Sequence, residues 1–162
     1  MALTDDQIID EIIHSFLRYN LRDIEEINKH ENLEYTIAEF ILCSCFIDQV
    51  SGFRYNTDKV GKRYRQFVKD YLPNYSPDGL YEDLRNKLVH NYSLGLFYSL
   101  TRKAPHLHLQ SKNGLTHLNL ENFIEDLKTS FDKYTYQLRN DNEIRRKALC
   151  WFTEYKIIGL TS

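Results

Sequence analysis

Leu80-Tyr81-Glu82-Asp83-Leu84-Arg85-Asn86-Lys87-Leu88-Val89-His90-Asn91-Tyr92 is the stretch whose periodicity decides the fold. Leu80, Leu84 and Leu88 recur at intervals of four, and Tyr81 and Tyr92 fall within about 40° of Leu88 on a helical wheel. Together they form one apolar stripe, which predicts a helix buried along that side. Asn86 and His90, four apart, face nearly the opposite way. Arg85 sits at the stripe's edge, with a stem long enough to bring its guanidinium round. A wholly solvated back face would carry Lys and Glu. His, Asn and Arg instead mark a face suited to a cleft or a subunit contact.

Working outward, Pro77-Asp78-Gly79 opens this helix and three more precede it. Thr4 before Asp5 and Asp6 reads as a helix start, an N-cap oxygen with acids in the first turn. Ile8, Ile9, Ile12, Ile13, Phe16 and Leu17 follow at helical spacing, and the helix runs to about Asn28. A second covers roughly Glu34 to Val50, rich in apolar residues and ended by Ser51-Gly52. A third runs from about Asp58 to Tyr71, stopped by Pro73. After Tyr92, Leu94 to Leu100 and His106 to Leu120 alternate with period two around Asn113-Gly114, a two-residue hairpin turn. That turn pairs Lys112 with Leu115. It puts Leu107, Leu109, Thr116, Leu118 and Leu120 on one face and His106, His108, Gln110, His117 and Asn119 on the other. Asn119 or Glu121 starts a long helix through Leu138. Glu143 to Ile158 either continues it or follows a break at Asn140-Asp141-Asn142. The expected architecture is a mainly all-α, up-and-down helical bundle with a small inserted β-hairpin at about 94–120.

The chain has 162 residues, with 42% hydrophobic and 27% charged residues, which fits one domain over 1–162 and argues against disorder. A formal charge of −2 excludes a strongly basic nucleic-acid coat. The longest apolar run, Ala38 to Ile47, is interrupted by Glu39 and Ser44, and Met1 to Asp6 lacks the basic start of a signal peptide. A cytoplasmic protein outside the membrane is therefore expected. Cys43, Cys45 and Cys150 are odd in number and widely spaced, and read as reduced, largely buried thiols. There is no Gly-rich phosphate loop, no His-Glu-x-x-His and no Cys-x-x-Cys. Kinase, P-loop and zinc-protease readings are excluded on that ground.

Arg85-Asn86-Lys87-Leu88-Val89-His90, continued by Asn91 and Tyr92, resembles the motif of the HEPN superfamily: Arg, a polar residue, three variable positions and His, late in a helix. The Arg-x4-His-x-Tyr form is similar to that of HEPN toxins paired with small nucleotidyltransferase antitoxins. Cys45-Phe46-Ile47-Asp48 and Gly52-Phe53 look like the middle helix of such domains. The resemblance covers about residues 5–140, with the hairpin as an elaboration. It implies a HEPN-like fold and RNA cleavage without metal or cofactor, through ribose 2′-OH attack that leaves a 2′,3′-cyclic phosphate. His90 would be general base or acid. Arg85 would hold the phosphate oxygens, with Asn86 orienting the imidazole or the phosphate. The 2′-OH requirement makes the substrate RNA and not DNA. The family's habit implies a homodimer, two motifs facing one cleft, in a toxin–antitoxin or defence setting with a nucleotidyltransferase-type antitoxin. Tyr92 then has two readings, the residue that the partner modifies with AMP or a core residue completing the leucine stripe. A rival from another class stays open: a non-catalytic HEPN-like module that binds RNA or protein, its motif supporting a dimer interface.

Arg54, Lys59, Lys62, Arg63, Arg65 and Lys69 face a single acid, Asp58, within 54–69, and Tyr55, Tyr64 and Phe67 are interleaved. Cations and rings in this order are what a single-stranded RNA track uses. A solvated helix face with its aromatics in the core has the same composition. Residues 1–48 carry eleven acids against three bases, a face that RNA should avoid. Alternating His106, His108 and His117 lack a fourth ligand and read as solvent-facing, with no metal expected.

Overall fold

Thr4 starts the first helix with a capping box: its Oγ1 accepts the Gln7 N–H, and the Gln7 side chain accepts the Thr4 N–H. The computed structural model of the chain describes residues 3–30 and 36–155. Helix α1 spans 5–29, α-helical over Asp5–Ser15 and Arg22–Lys29 with a π-helical stretch, Phe16–Leu21, between them. Helices α2 and α3 are Thr36–Tyr55 and Val60–Tyr71. Helix α4 spans 77–91, and its ladder is π-helical over Leu80–Leu88. Helices α5, Leu120–Asn140, and α6, Asn142–Glu154, are separate, because Asp141 breaks the chain and its carboxylate caps α6. The expected second-helix start at Glu34 and last-helix end at Ile158 lie outside the described residues.

The fold is mainly α with a small inserted sheet. Helix α2 is its centre and packs against the other five. Phe40, Cys43, Phe46, Ile47, Val50 and Phe53 line it with almost no exposure. Phe16 meets Phe46, Phe53 and Phe131 at ring-centroid distances of 5.8, 5.6 and 5.3 Å, which locks α1, α2 and α5 together. By length and composition α2 alone among the described helices is apolar enough to cross a membrane, and 56% of that window is buried against its neighbours.

Two sequence expectations for α2 change. Ser51-Gly52 does not end it; the helix continues to Tyr55, and Asn56 closes it with φ 50°. Gly52 is there for close approach, since a Cβ would lie 2.6 Å from the Trp151 ring of α6. The three thiols are free, but only Cys43 is buried, with its pKa pushed up by that burial; Cys45 and Cys150 are exposed.

The insert is a three-stranded sheet in the order β1-β3-β2, with β1 Tyr98–Thr101, β2 Ser111–Lys112 and β3 Leu115–Asn119. Lys112 pairs with Leu115 around Asn113-Gly114, the expected register, and both turn residues have positive φ. Strand β1 joins β3 in parallel, a pairing that the hairpin reading did not foresee. Leu118 and Leu120 are buried and Leu109 packs on the core, while His106 is exposed. His108 and Asn119, expected outside, are turned in. For His108 the cause is a 3₁₀ turn at Pro105–Leu107 followed by Leu109 at φ 59°, which interrupts the alternation. Asn119 instead ends β3 where α5 begins, its Oδ1 accepting the Ala104 N–H and its Nδ2 donating to Glu121 and Asn122.

His108 Nδ1 accepts the Asn119 N–H at 3.2 Å, so the neutral ring carries its proton on Nε2, toward Tyr75 Oη at 3.0 Å. Tyr75 in turn donates to Asp126 at 2.5 Å. Burial holds the His108 pKa below 6.5, against the weaker pull of Asp126. Below pH 6.5 the unfolded chain therefore binds a proton that the folded chain refuses, and stability falls as the pH drops. Urea melts at pH 7.5 and about pH 5.5 should show this loss, reduced in His108→Gln. An unchanged pH slope in the variant would remove His108 from the explanation.

Candidate functional site

Ser76 caps α4 by accepting the Gly79 N–H at 2.9 Å, with Pro77 in the first turn. Leu80, Leu84 and Leu88 are buried as their spacing predicts. The ladder between them is wider than an α-helix. In an α-helix, residues five apart point about 140° away from each other. In a π-helix, with i→i+5 bonds, they lie close to one turn apart. Arg85 Nη1 and His90 Nε2, five apart, are in contact. A guanidinium has donors and no acceptor, so in this contact Arg85 donates and His90 Nε2 accepts.

Arg85 is held from behind by Asp48 of α2. Asp48 Oδ2 accepts from Arg85 Nε at 2.7 Å and Oδ1 from Arg63 Nη2 at 2.6 Å. The Arg85 and Asp48 side chains are each 18% exposed, while His90 lies open at the surface. The site is thus a guanidinium fixed at the base and an accessible imidazole above it. Sequence reading named Arg85 and His90 but gave Asp48 no role. The available signal was the acid that closes the apolar Ala38–Ile47 stretch, where an unpaired carboxylate would be costly.

Asn86 does not join His90. Its Nδ2 donates to Glu82 at 3.1 Å, and Glu82 also accepts from Arg65 Nη2 at 2.8 Å. The expectation that Tyr92 completes the core stripe is overturned, since Tyr92 is 70% exposed. The helix stops at Asn91, and Tyr92 takes the left-handed conformation, φ 53°, with the Ser93 N–H bonded back to Lys87 O. Beyond it Leu94, Leu96 and Phe97 are also exposed, so an apolar run flanks the site. Asp83 fixes this run by accepting the Phe97 and Tyr98 N–H groups at 2.9 and 2.8 Å.

The 54–69 stretch is not a free cationic track. Arg63 is buried and paired with Asp48, Arg65 is paired with Asp78 and Glu82, and Arg54 donates to Tyr71 Oη at 2.6 Å. Tyr64 and Phe67 are buried in the core and Tyr55 is bonded to Asp70, so no row of rings faces out. Lys59 and Lys62 remain exposed. Composition alone suggested a solvated cationic face, whereas carboxylates hold Arg63 and Arg65 and the Tyr71 hydroxyl holds Arg54.

No family model, curated protein or solved structure matches this chain.

Proposed function

We propose that the chain is a HEPN-type endoribonuclease that cleaves RNA without metal. The observation that carries this reading is the contact between Arg85 and an exposed His90 on one helix, with Arg85 braced by Asp48. In the proposed step an imidazole takes the ribose 2′-OH proton, the 2′-oxygen attacks the adjacent phosphorus, and the bond to the 5′-oxygen breaks. The leaving oxygen takes a proton from a general acid. Arg85 stabilises the charge gathered on the phosphate oxygens.

One chain offers a single His at this site, whereas the step needs both a base and an acid. A homodimer in which two His90 rings face one cleft supplies both, and exposed Tyr92, Leu94, Leu96 and Phe97 offer apolar surface beside the motif for such a contact. A cytoplasmic toxin–antitoxin or defence setting fits the resemblance. The exposure of Tyr92 supports its reading as the acceptor of a nucleotidyltransferase antitoxin. The same apolar run favours the second reading, a non-catalytic module that uses this face to bind a partner.

A short RNA carrying one cleavage site tests the chemistry. The expected products end in 2′,3′-cyclic phosphate, and a 2′-deoxy substitution at the attacking ribose abolishes cleavage. Cleavage that tolerates the 2′-deoxy sugar would sink the mechanism.

A further inference from the structure

A pocket of about 430 Å³ opens beside Asp48, the partner of Arg85, between α2, the start of α3 and the end of α6. Phe53, Val60 and Trp151 give it an apolar wall, and Gln49, Asp58 and Arg63 give it polar groups. Trp151 stacks on Tyr155 at a centroid distance of 4.2 Å and 23°, and the Arg63 guanidinium lies 5.0 Å from the Trp151 ring centroid. Tyr155 is 47% exposed, which leaves its ring open to a further planar group. Arg63 is 9% exposed, and its Nε has no hydrogen-bond partner. The Asp48 carboxylate is neutralised by two arginines, whereas Asp58 is exposed and, among the described residues, its carboxylate accepts from the Tyr155 hydroxyl, at 3.3 Å.

Resting on the ribonuclease reading above, we propose that this pocket receives a nucleobase flanking the cleaved phosphate, and that it selects guanine. The size and the aromatic wall suit a base, since aromatic rings stack on any base without preference. Selection falls to Asp58. A carboxylate offers two acceptors side by side, and guanine is the base whose Watson–Crick edge offers two adjacent donors, the ring N–H and the exocyclic amine. Adenine and cytosine present a donor beside an acceptor there, and uracil a donor between two acceptors. Because Asp48 belongs to both places, a base in the pocket sits one ion pair away from Arg85.

Trp151 is the sole tryptophan, so its fluorescence reports pocket occupancy without any need for cleavage. Titration of the full chain with 3′-GMP should give a saturable change, with at least about tenfold weaker binding for 3′-AMP, 3′-CMP and 3′-UMP. Inosine 3′-monophosphate, which lacks the exocyclic amine, should also bind more weakly, and Asp58→Asn should remove the preference for 3′-GMP. Asp58 lies on an exposed loop, so that variant tests selection in a folded protein. A saturable preference for 3′-GMP supports the pocket even if RNA is never cut, in which case the nuclease reading alone fails. No saturable change, or equal affinity for all four nucleotides, overturns the pocket even where RNA is cut.

Discussion

Arg102→Ala is expected to destabilise the fold by about 3–5 kcal/mol, because it strands a buried charge. The Arg102 and Glu39 side chains are 3% and 0% exposed, and Arg102 Nη1 donates to Glu39 Oε2 at 2.7 Å. Arg102 Nη2 also donates to the carbonyls of Asn28 and His30, at 2.8 and 3.3 Å. One guanidinium therefore ties the sheet insert to the end of α1 and the first turn of α2. Burial already raises the Glu39 pKa, with Arg102 pulling it back down. Removing Arg102 leaves the desolvation without its compensation. Glu39→Leu combined with Arg102→Met should recover much of the loss, since the pair opposes its own burial. Urea denaturation of the single and double variants measures both effects. A loss below about 1 kcal/mol for Arg102→Ala would show that the pair is solvated in solution.

Asp48→Ala is expected to act on stability and on the site together. It leaves Arg63 and Arg85, 10% and 18% exposed, facing each other without the carboxylate between them. The expected destabilisation is about 3 kcal/mol, the scale for breaking a largely buried pair from one side. Arg85 would also lose the bond that aims its guanidinium, and a shift of an ångström in a catalytic group can lower a rate by about 100-fold. Asp48→Asn keeps one acceptor and should fall between. Unchanged stability together with unchanged RNA cleavage in Asp48→Ala would mean that Arg85 is positioned by something else.

Local signals in the sequence carried most of the fold. The Thr4 cap, the Leu80, Leu84 and Leu88 stripe, Asn113-Gly114 and the break at Asp141 are decided by residues within a few positions of one another. What stayed hidden depends on distant partners. Gly52 looked like a helix terminator because its reason, the Trp151 ring 99 positions later, is not local. His108 looked exposed because alternation was extended through Pro105–Leu107, where the backbone turns. Arg63 and Arg65 looked like free cations because Asp48, Asp78 and Glu82 come together with them only in the fold. At the candidate site, Arg85 and His90 were legible as a motif. Their contact was not, since α-helical geometry separates them and a π-helical ladder brings them together. Tyr92 shows the same limit, because periodicity gives no warning that the helix stops one residue earlier.

The most direct measurement is incubation of the purified protein with mixed cellular RNA in EDTA, beside Arg85→Ala and His90→Ala. His90 is exposed near the end of α4, and Asp48 keeps its Arg63 partner when Arg85 is removed, so folded variants are expected, and circular dichroism checks this. Loss of a general acid or base lowers such rates by about 10²–10⁴-fold. The predicted result is cleavage by the unaltered chain, with cyclic phosphate ends, and at least about 100-fold less by either variant. Equal cleavage by all three proteins, or none by any, would contradict it.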